Sequence, residues 1–217
     1  MKLIGTGRTA DVYALDEHRV LRRYRDPGRG VVAREAAAMA HVAAHGFPAP
    51  AVFAADGTDL VMERLHGPVL LDAVAAGERD AADAGRVLAD LHARLHDVPS
   101  RTRDPHERVL HLDLHPANIV LTGRGPVLID WTNAADGPPG LDVALTAVIL
   151  AQAAVAPGHE HGDAAARMLT AFLGATGRQA LALLDRAVAR RAADRSMTPA
   201  EVRLLDDAAA LITSIAR

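Results

Sequence analysis

The spacing of hydrophobic and polar positions changes character near Gly67. Before it, "KLIG", "DVYAL" and "RVLRRY" are short alternating runs that read as strands, separated by a glycine-rich stretch and by the turn "DEH". "VVAREAAAMAHVAAHG" follows a helical period and stops at Gly46. "AVFAA" and "LVMER" flank Asp56-Gly57, which predicts a hairpin. After Gly67 the pattern is helical, first over 70–77 and then through "ERDAADAGRVLADLHARLHDVP". In that second run Leu88, Leu91 and Leu95 share a face and Pro99 closes the helix. "HLDLHPANIVL" and "PVLID" predict two short strands joined by "TGRG", and a helix covers 141–156. Roughly three helices fill the tail. The last opens at "TPAE", where Thr198, Pro199 and Glu201 occupy the N-cap, N1 and N3 positions of a capping box. With no internal repeat and no long linker, a small strand-rich part leads directly into a larger helical one.

Composition narrows the function classes. Half of the 217 residues are apolar and 24% are charged, as in an ordinary globular protein. A formal net charge of −3 argues against a general nucleic-acid partner. The absence of cysteine removes disulfides and thiolate metal sites. "MKLIGTG" enters a glycine motif at once, so no signal peptide is expected. The longest apolar run, residues 141–156, is too short to span a bilayer and contains Asp142 and Gln152, so no membrane partner is expected and a cytoplasmic location is. Lys2 is the only lysine among 24 basic residues, an Ala/Arg bias like that of GC-rich bacterial genomes.

The unusual stretch is "HLDLHPANIVL", which sets two histidines, an aspartate and an asparagine among residues that ask for a core. Such groups must satisfy one another or bind something. The spacing is H-x-D with an asparagine five residues after the aspartate, the arrangement of a phosphoryl-transfer catalytic loop. Asp113 would then orient the attacking hydroxyl, Asn118 would coordinate Mg²⁺, and His111 would brace the loop. Twelve residues on, "VLID" places Asp130 at the end of an apolar strand, where a carboxylate bound to Mg²⁺ is tolerable. An alternative takes His111, Asp113 and His115 as a two-histidine, one-carboxylate metal site.

Upstream residues support phosphoryl transfer. "GTGRTADVYAL", with Gly5 and Gly7, lies between two strands, so it is neither a dinucleotide loop nor a Walker A loop, both of which open a helix. It is either an ordinary hairpin turn or a glycine loop folded over nucleotide phosphates. In "VLRRY", Arg22 shares a face with Val20 and Tyr24 and stands where a phosphate-binding lysine would. Val31, Glu35, Met39 and Val42 form one stripe of the 31–45 helix; a glutamate there needs a partner, and Arg22 is the candidate, unless either residue simply faces water.

Together, "GTGRTADVYAL", "VLRRY", "REAAAMAHVAAHGFPAP", "LVMERLHG", "HLDLHPANIVL" and "VLIDWTNAADGPPGLDVA" resemble the aminoglycoside phosphotransferase-like small-molecule kinases, over about residues 3–150 and in that family's order. The resemblance implies a bilobal, protein-kinase-like α+β fold. Its N-lobe of antiparallel sheet plus one helix would span about 1–64, its hinge about 62–66 and its mainly helical C-lobe about 67–217, all as one kinase-like domain. It implies ATP bound between the lobes at Met62, Glu63 and Leu65, an Arg22–Glu35 ion pair, Mg²⁺ held by Asn118 and Asp130, and Asp113 as the catalytic aspartate. Asp142 matches an aspartate that steadies the catalytic loop. "HLD" replaces that family's "HGD", and the short tail leaves the acceptor pocket reduced or open.

The expected activity is ATP- and Mg²⁺-dependent transfer of the γ-phosphate to a hydroxyl or amine of a small molecule, such as an aminoglycoside, amino sugar or related metabolite, by a monomer or homodimer. If the acceptor is an amino sugar, Glu160, Asp163, Asp206 and Asp207 are the acidic candidates, although solvated helix faces explain them as well. The alternatives are a Ser/Thr protein kinase-like enzyme, disfavoured by the short "WTNAADGPPG" segment, and a nucleotide-binding pseudokinase acting through a partner.

Overall fold

The computed structural model describes residues 1–7, 9–26, 28, 30–177, 179–194 and 197–216, with only the backbone of Gln179. Arg8 of the glycine loop is outside these residues. The first half is a five-stranded antiparallel sheet of β1 (Lys2–Thr6), β2 (Ala10–Ala14), β3 (Arg19–Tyr24), β4 (Val52–Asp56) and β5 (Asp59–Glu63), in the order β1-β2-β3-β5-β4. Gly57, at φ 55, closes the β4–β5 hairpin where the sequence predicts it. Helix α1 (Val31–Ala44) packs beside the sheet, burying Val32, Glu35, Ala36, Met39 and Val42 on one stripe. Gly46, with a φ of 79, follows the His45 C-cap and suits the position after a helix C-terminus.

The second half is mainly helical. After α2 (Leu70–Ala75), α3 (Ala81–His96) begins at Asp80, whose side chain caps it by accepting from the amides of Ala82 and Asp83. The predicted face of Leu88, Leu91 and Leu95 is fully buried. Helix α4 (Pro139–Val155) is the central element, touched by α5 (Gly162–Thr176), α6 (Gln179–Ala182), α7 (Leu184–Ala192) and α9 (Leu205–Ile215). Enclosure on nearly every side explains its almost continuous apolar sequence. No helix among the described residues is long and apolar enough to cross a membrane.

Two expectations change. Among the described residues the tail holds five helical segments, because α8 (Pro199–Arg203) and α9 are separated at Leu204 and a short α6 precedes α7. The expected capping box at Thr198 and Glu201 is present. The stretch 111–115 is a loop and not a strand. Its preceding strand β6 (Arg108–Leu110) pairs with β9 (Ala135–Gly137), and the following β7 (Ile119–Thr122) pairs with β8 (Gly125–Leu128). Pro116 opens a 3-10 turn over Pro116–Asn118, and backbone N–H groups that a strand would have paired are taken by side chains instead. The α+β architecture agrees with the expected fold class.

Candidate active site

Three short strands bring the polar loop residues together. The β7–β8 hairpin returns the chain so that the amide of Ile129 donates to the carbonyl of Asn118 at 2.9 Å, which sets Asp130 beside the asparagine. Asn118 Nδ2 donates to the carbonyl of Asp113 at 2.9 Å and lies 3.2 Å from His115 Nε2, so the amide is oriented by its own loop. Asp113, Asn118 and Asp130, with Arg22, Gly7 and Thr9, line a cleft of about 970 Å³. The predicted site residues Gly5, Met62, Glu63 and Leu65 are not in its wall. Gly5 lies in β1 opposite Val12, and Met62 pairs with Val20 and Val52. Glu63 is held by Arg124 and by the amide of Ala51, and Leu65 follows the end of β5.

The loop itself is braced from behind. Asp142, fully buried on α4, accepts the amide of Leu112 at 2.7 Å on one oxygen and that of His111 at 3.0 Å on the other. Leu112 stands at φ 64, a conformation in which glycine would be unstrained, and the two carboxylate bonds hold it there. His111 turns its ring inward, its Nε2 donating to the carbonyl of Ile129 at 3.1 Å and its edge packed on Trp131. His111 therefore does not converge with Asp113 and His115, and the alternative metal triad is not formed among the described residues.

Arg22 joins the sheet to this loop. Its Nη1 donates to Glu35 Oε1 at 2.9 Å and its Nη2 to Asp130 Oδ1 at 2.7 Å, with the side chain only 10% exposed. Arg23 faces outward to Asp59, as strand alternation requires. Two partners were not foreseen from sequence. The Tyr24 hydroxyl donates to Glu35 Oε2, and Thr132 Oγ1 donates to Asp130 Oδ1 at 2.8 Å while lying 2.9 Å from the Tyr24 hydroxyl. Tyr24 had a usable signal, since it shares the Arg22 face of β3; Thr132 had none, because turn geometry alone places it.

Electrostatics follow from this wiring. Burial alone would raise the Asp113 carboxyl, but the hydrogen bond from His115 and the charges of His115, His111 and Arg191 hold it below the usual carboxylate range. Asp130 is opposed by burial and held low by the charge and hydrogen bond of Arg22 and by Thr132. Burial opposes the charge on Arg22, yet Asp130 and Glu35 keep its pKa raised and the guanidinium charged. Asp113 and Asp130 are thus anions at neutral pH, and Asp130 is paired with a fixed cation.

Asn118 Oδ1 and Asp130 Oδ2 have no hydrogen-bond partner among the described residues, and such hard oxygen donors suit Mg²⁺. The cleft is also lined by Arg190, Arg191, Asp194 and Glu201; Glu160, Asp163, Asp206 and Asp207 lie outside its wall. All four of these acids are exposed, as the reading of them as solvated helix faces has it.

A sequence profile of the phosphotransferase enzyme family (APH) matches residues 1–108 and 93–184. The ADP-bound aminoglycoside phosphotransferase APH(2'')-Ib is similar, with a TM-score of 0.58 and 10% identity over 98% of this chain and 92% of that one. The apo form of a thermostable mutant of APH(4)-Ia gives 0.63 and 14% over 100% and 93%. The gentamicin complex of APH(2'')-IIa gives 0.61 and 10% over 98% and 90%. At these identities the likeness establishes the protein-kinase-like fold of the chain. No curated protein matches it by sequence.

Proposed function

The chain belongs to the phosphotransferase enzyme family, and we propose that it moves the γ-phosphate of ATP to a hydroxyl or amine of a small molecule such as an aminoglycoside, amino sugar or related metabolite. The observation that carries this reading is the convergence of Asp113, Asn118, Asp130 and Arg22 on one cleft wall. In this reading the chain works as one kinase-like domain, with ATP between the sheet and the helical part. Gly5 and Gly7 cover its phosphates, and Met62, Glu63 and Leu65 take its base at a hinge of about 62–66.

Arg22 offers a planar fork of donors to the nonbridging phosphate oxygens, while Glu35 keeps it from swinging away. Asn118 and Asp130 would hold Mg²⁺, which neutralises charge on the phosphate oxygens during transfer. Asp113 accepts the hydrogen bond of the acceptor hydroxyl and aims its oxygen along the line of transfer. Its lowered pKa fits that task, because a loose phosphoryl-transfer transition state rewards alignment more than early proton removal. Arg190 and Arg191 stand beside Asp194 and Glu201 at the acceptor end, so the wall suits an acceptor carrying both polar and charged groups better than a uniformly cationic one.

The test is ADP release from Mg·ATP across aminoglycosides, amino sugars, neutral sugars, choline-like alcohols, homoserine and a generic protein substrate, with product mass measured. Release with one small-molecule class, and an acceptor heavier by one phosphate, supports the reading. Phosphorylation of the protein substrate alone would replace it with a protein kinase. Nucleotide binding without release for any acceptor would favour a pseudokinase.

A further inference from the structure

Behind the catalytic loop lies a second cavity of about 460 Å³ that shares no wall residue with the cleft. His92 and His96, one turn apart on α3, line it, as does His106. Asp142 closes the group: His96 Nε2 is 3.3 Å and His92 Nδ1 is 3.7 Å from Asp142 Oδ2, and one ligand atom from each residue lies within 4.8 Å of the others.

The tautomer of His92 can be worked out from its neighbours. The Thr146 hydroxyl has one proton, and the Leu114 carbonyl 2.7 Å away takes it. Thr146 Oγ1 must therefore accept from His92 Nε2–H at 2.9 Å, which leaves Nδ1 with a bare lone pair. That nitrogen is buried, has no hydrogen-bond partner among the described residues and faces a carboxylate oxygen. Two acceptors confronting each other in a buried position are costly, and a cation between them removes the cost.

We infer that His92 Nδ1, His96 Nε2 and Asp142 Oδ2 form a site for a divalent transition-metal ion of the zinc type, with the cavity supplying a water as a further ligand. Two imidazoles and a carboxylate with one open position are a common zinc donor set. Tetrahedral bonds of about 2.0–2.1 Å put ligand atoms about 3.3 Å apart, close to the spacings between Asp142 and the two histidines. Thr146 acts as the outer hydrogen-bond partner that fixes the His92 tautomer. Because the same carboxylate holds the amides of His111 and Leu112, the bound ion would stiffen the catalytic loop from its far side.

The experiment titrates Co²⁺ into the full chain without nucleotide and follows visible absorption, which is intense for low-coordinate nitrogen-ligated Co²⁺ and weak for an all-oxygen site. One equivalent should bind with intense bands that Zn²⁺ abolishes. His96→Ala and His92→Gln should weaken binding by at least about tenfold, whereas Asp130→Asn should leave the bands in place. Bands unchanged in both histidine variants, or lost only in Asp130→Asn, would overturn the site. A second measurement needs no variant: Zn²⁺ should shift the ring resonances of His92 and His96 far more than those of His41 and His45, and equal shifts in all four would overturn it.

Discussion

Arg22 Nη2 lies 2.7 Å from Asp130 Oδ1, a contact across 108 positions of chain that ties the third strand to the turn after β8. The same guanidinium grips Glu35 at 2.9 Å, so one cation holds two acids drawn from different elements. Glu35 is 2% exposed and depends on that cation. Arg22→Met should therefore destabilise the chain by about 3–5 kcal/mol, as breaking one side of a buried ion pair does. Adding Glu35→Gln should recover part of the loss, and urea unfolding of the two single variants and the double would measure the coupling. Simple additivity would mean that the pair is not energetically linked.

Asp113 lines the cleft beside Asn118, whose Nδ2 donates to the Asp113 backbone carbonyl. Asp113→Asn should lower turnover by about 10²–10⁴-fold. Steady-state kinetics on the acceptor identified by ADP release would show the loss in kcat. An unchanged kcat would remove Asp113 from the mechanism.

Gly85 sits in the interior of α3, where alanine would ordinarily be worth about 1 kcal/mol more than glycine. Here the sign reverses. A Cβ at this position would stand 2.3 Å from the carbonyl oxygen of Met168 and 3.0 Å from Ala171 Cβ, on the facing helix α5. Gly85→Ala should destabilise the chain by about 1–3 kcal/mol, as overpacking does, and thermal unfolding would read it as a lowered Tm. A raised Tm would show that α3 and α5 can separate freely.

His92 makes stability depend on pH in a defined window. Its folded pKa of about 4 lies below the ordinary 6.5, so the unfolded chain takes up the proton first as pH falls. Its contribution is therefore intact above about 6.5 and is lost as pH drops toward 4, by about 2 kcal/mol between pH 7 and pH 5. Asp142 and His96 face it, and His111, also lowered by burial, acts in the same direction. Urea midpoints measured with a chelator present should fall from pH 7 to pH 5 in the wild type and fall less in His92→Gln. Equal slopes would exclude His92 as a source.

The parts of this architecture that sequence discloses are those set by period. Alternation gave β2 and β3 and separated Arg22 from Arg23, and a helical stripe exposed Glu35 as an acid in need of a partner. The capping box at Thr198 was readable because its two bonds are local. What escaped is set by long-range approach. Tyr24 and Thr132 join the Arg22 network only after the turn beyond β8 folds back onto the sheet. His92 and His96 look like polar positions on an amphipathic helix until α4 brings Asp142 beside them. The strand expected over 111–115 failed because its amides are paid for by a carboxylate about thirty residues downstream. β9 went unread because three residues carry too little pattern.

Calorimetric titration of Mg·ATP into the wild type, Asp113→Asn and Asp130→Asn separates the two acids most directly. One equivalent should bind to the wild type and, with similar affinity, to Asp113→Asn, whereas Asp130→Asn should bind at least about tenfold more weakly, a loss of about 1.4 kcal/mol or more. Equal affinities in all three, or no binding to the wild type, would contradict the assignment of this cleft to a metal–nucleotide complex.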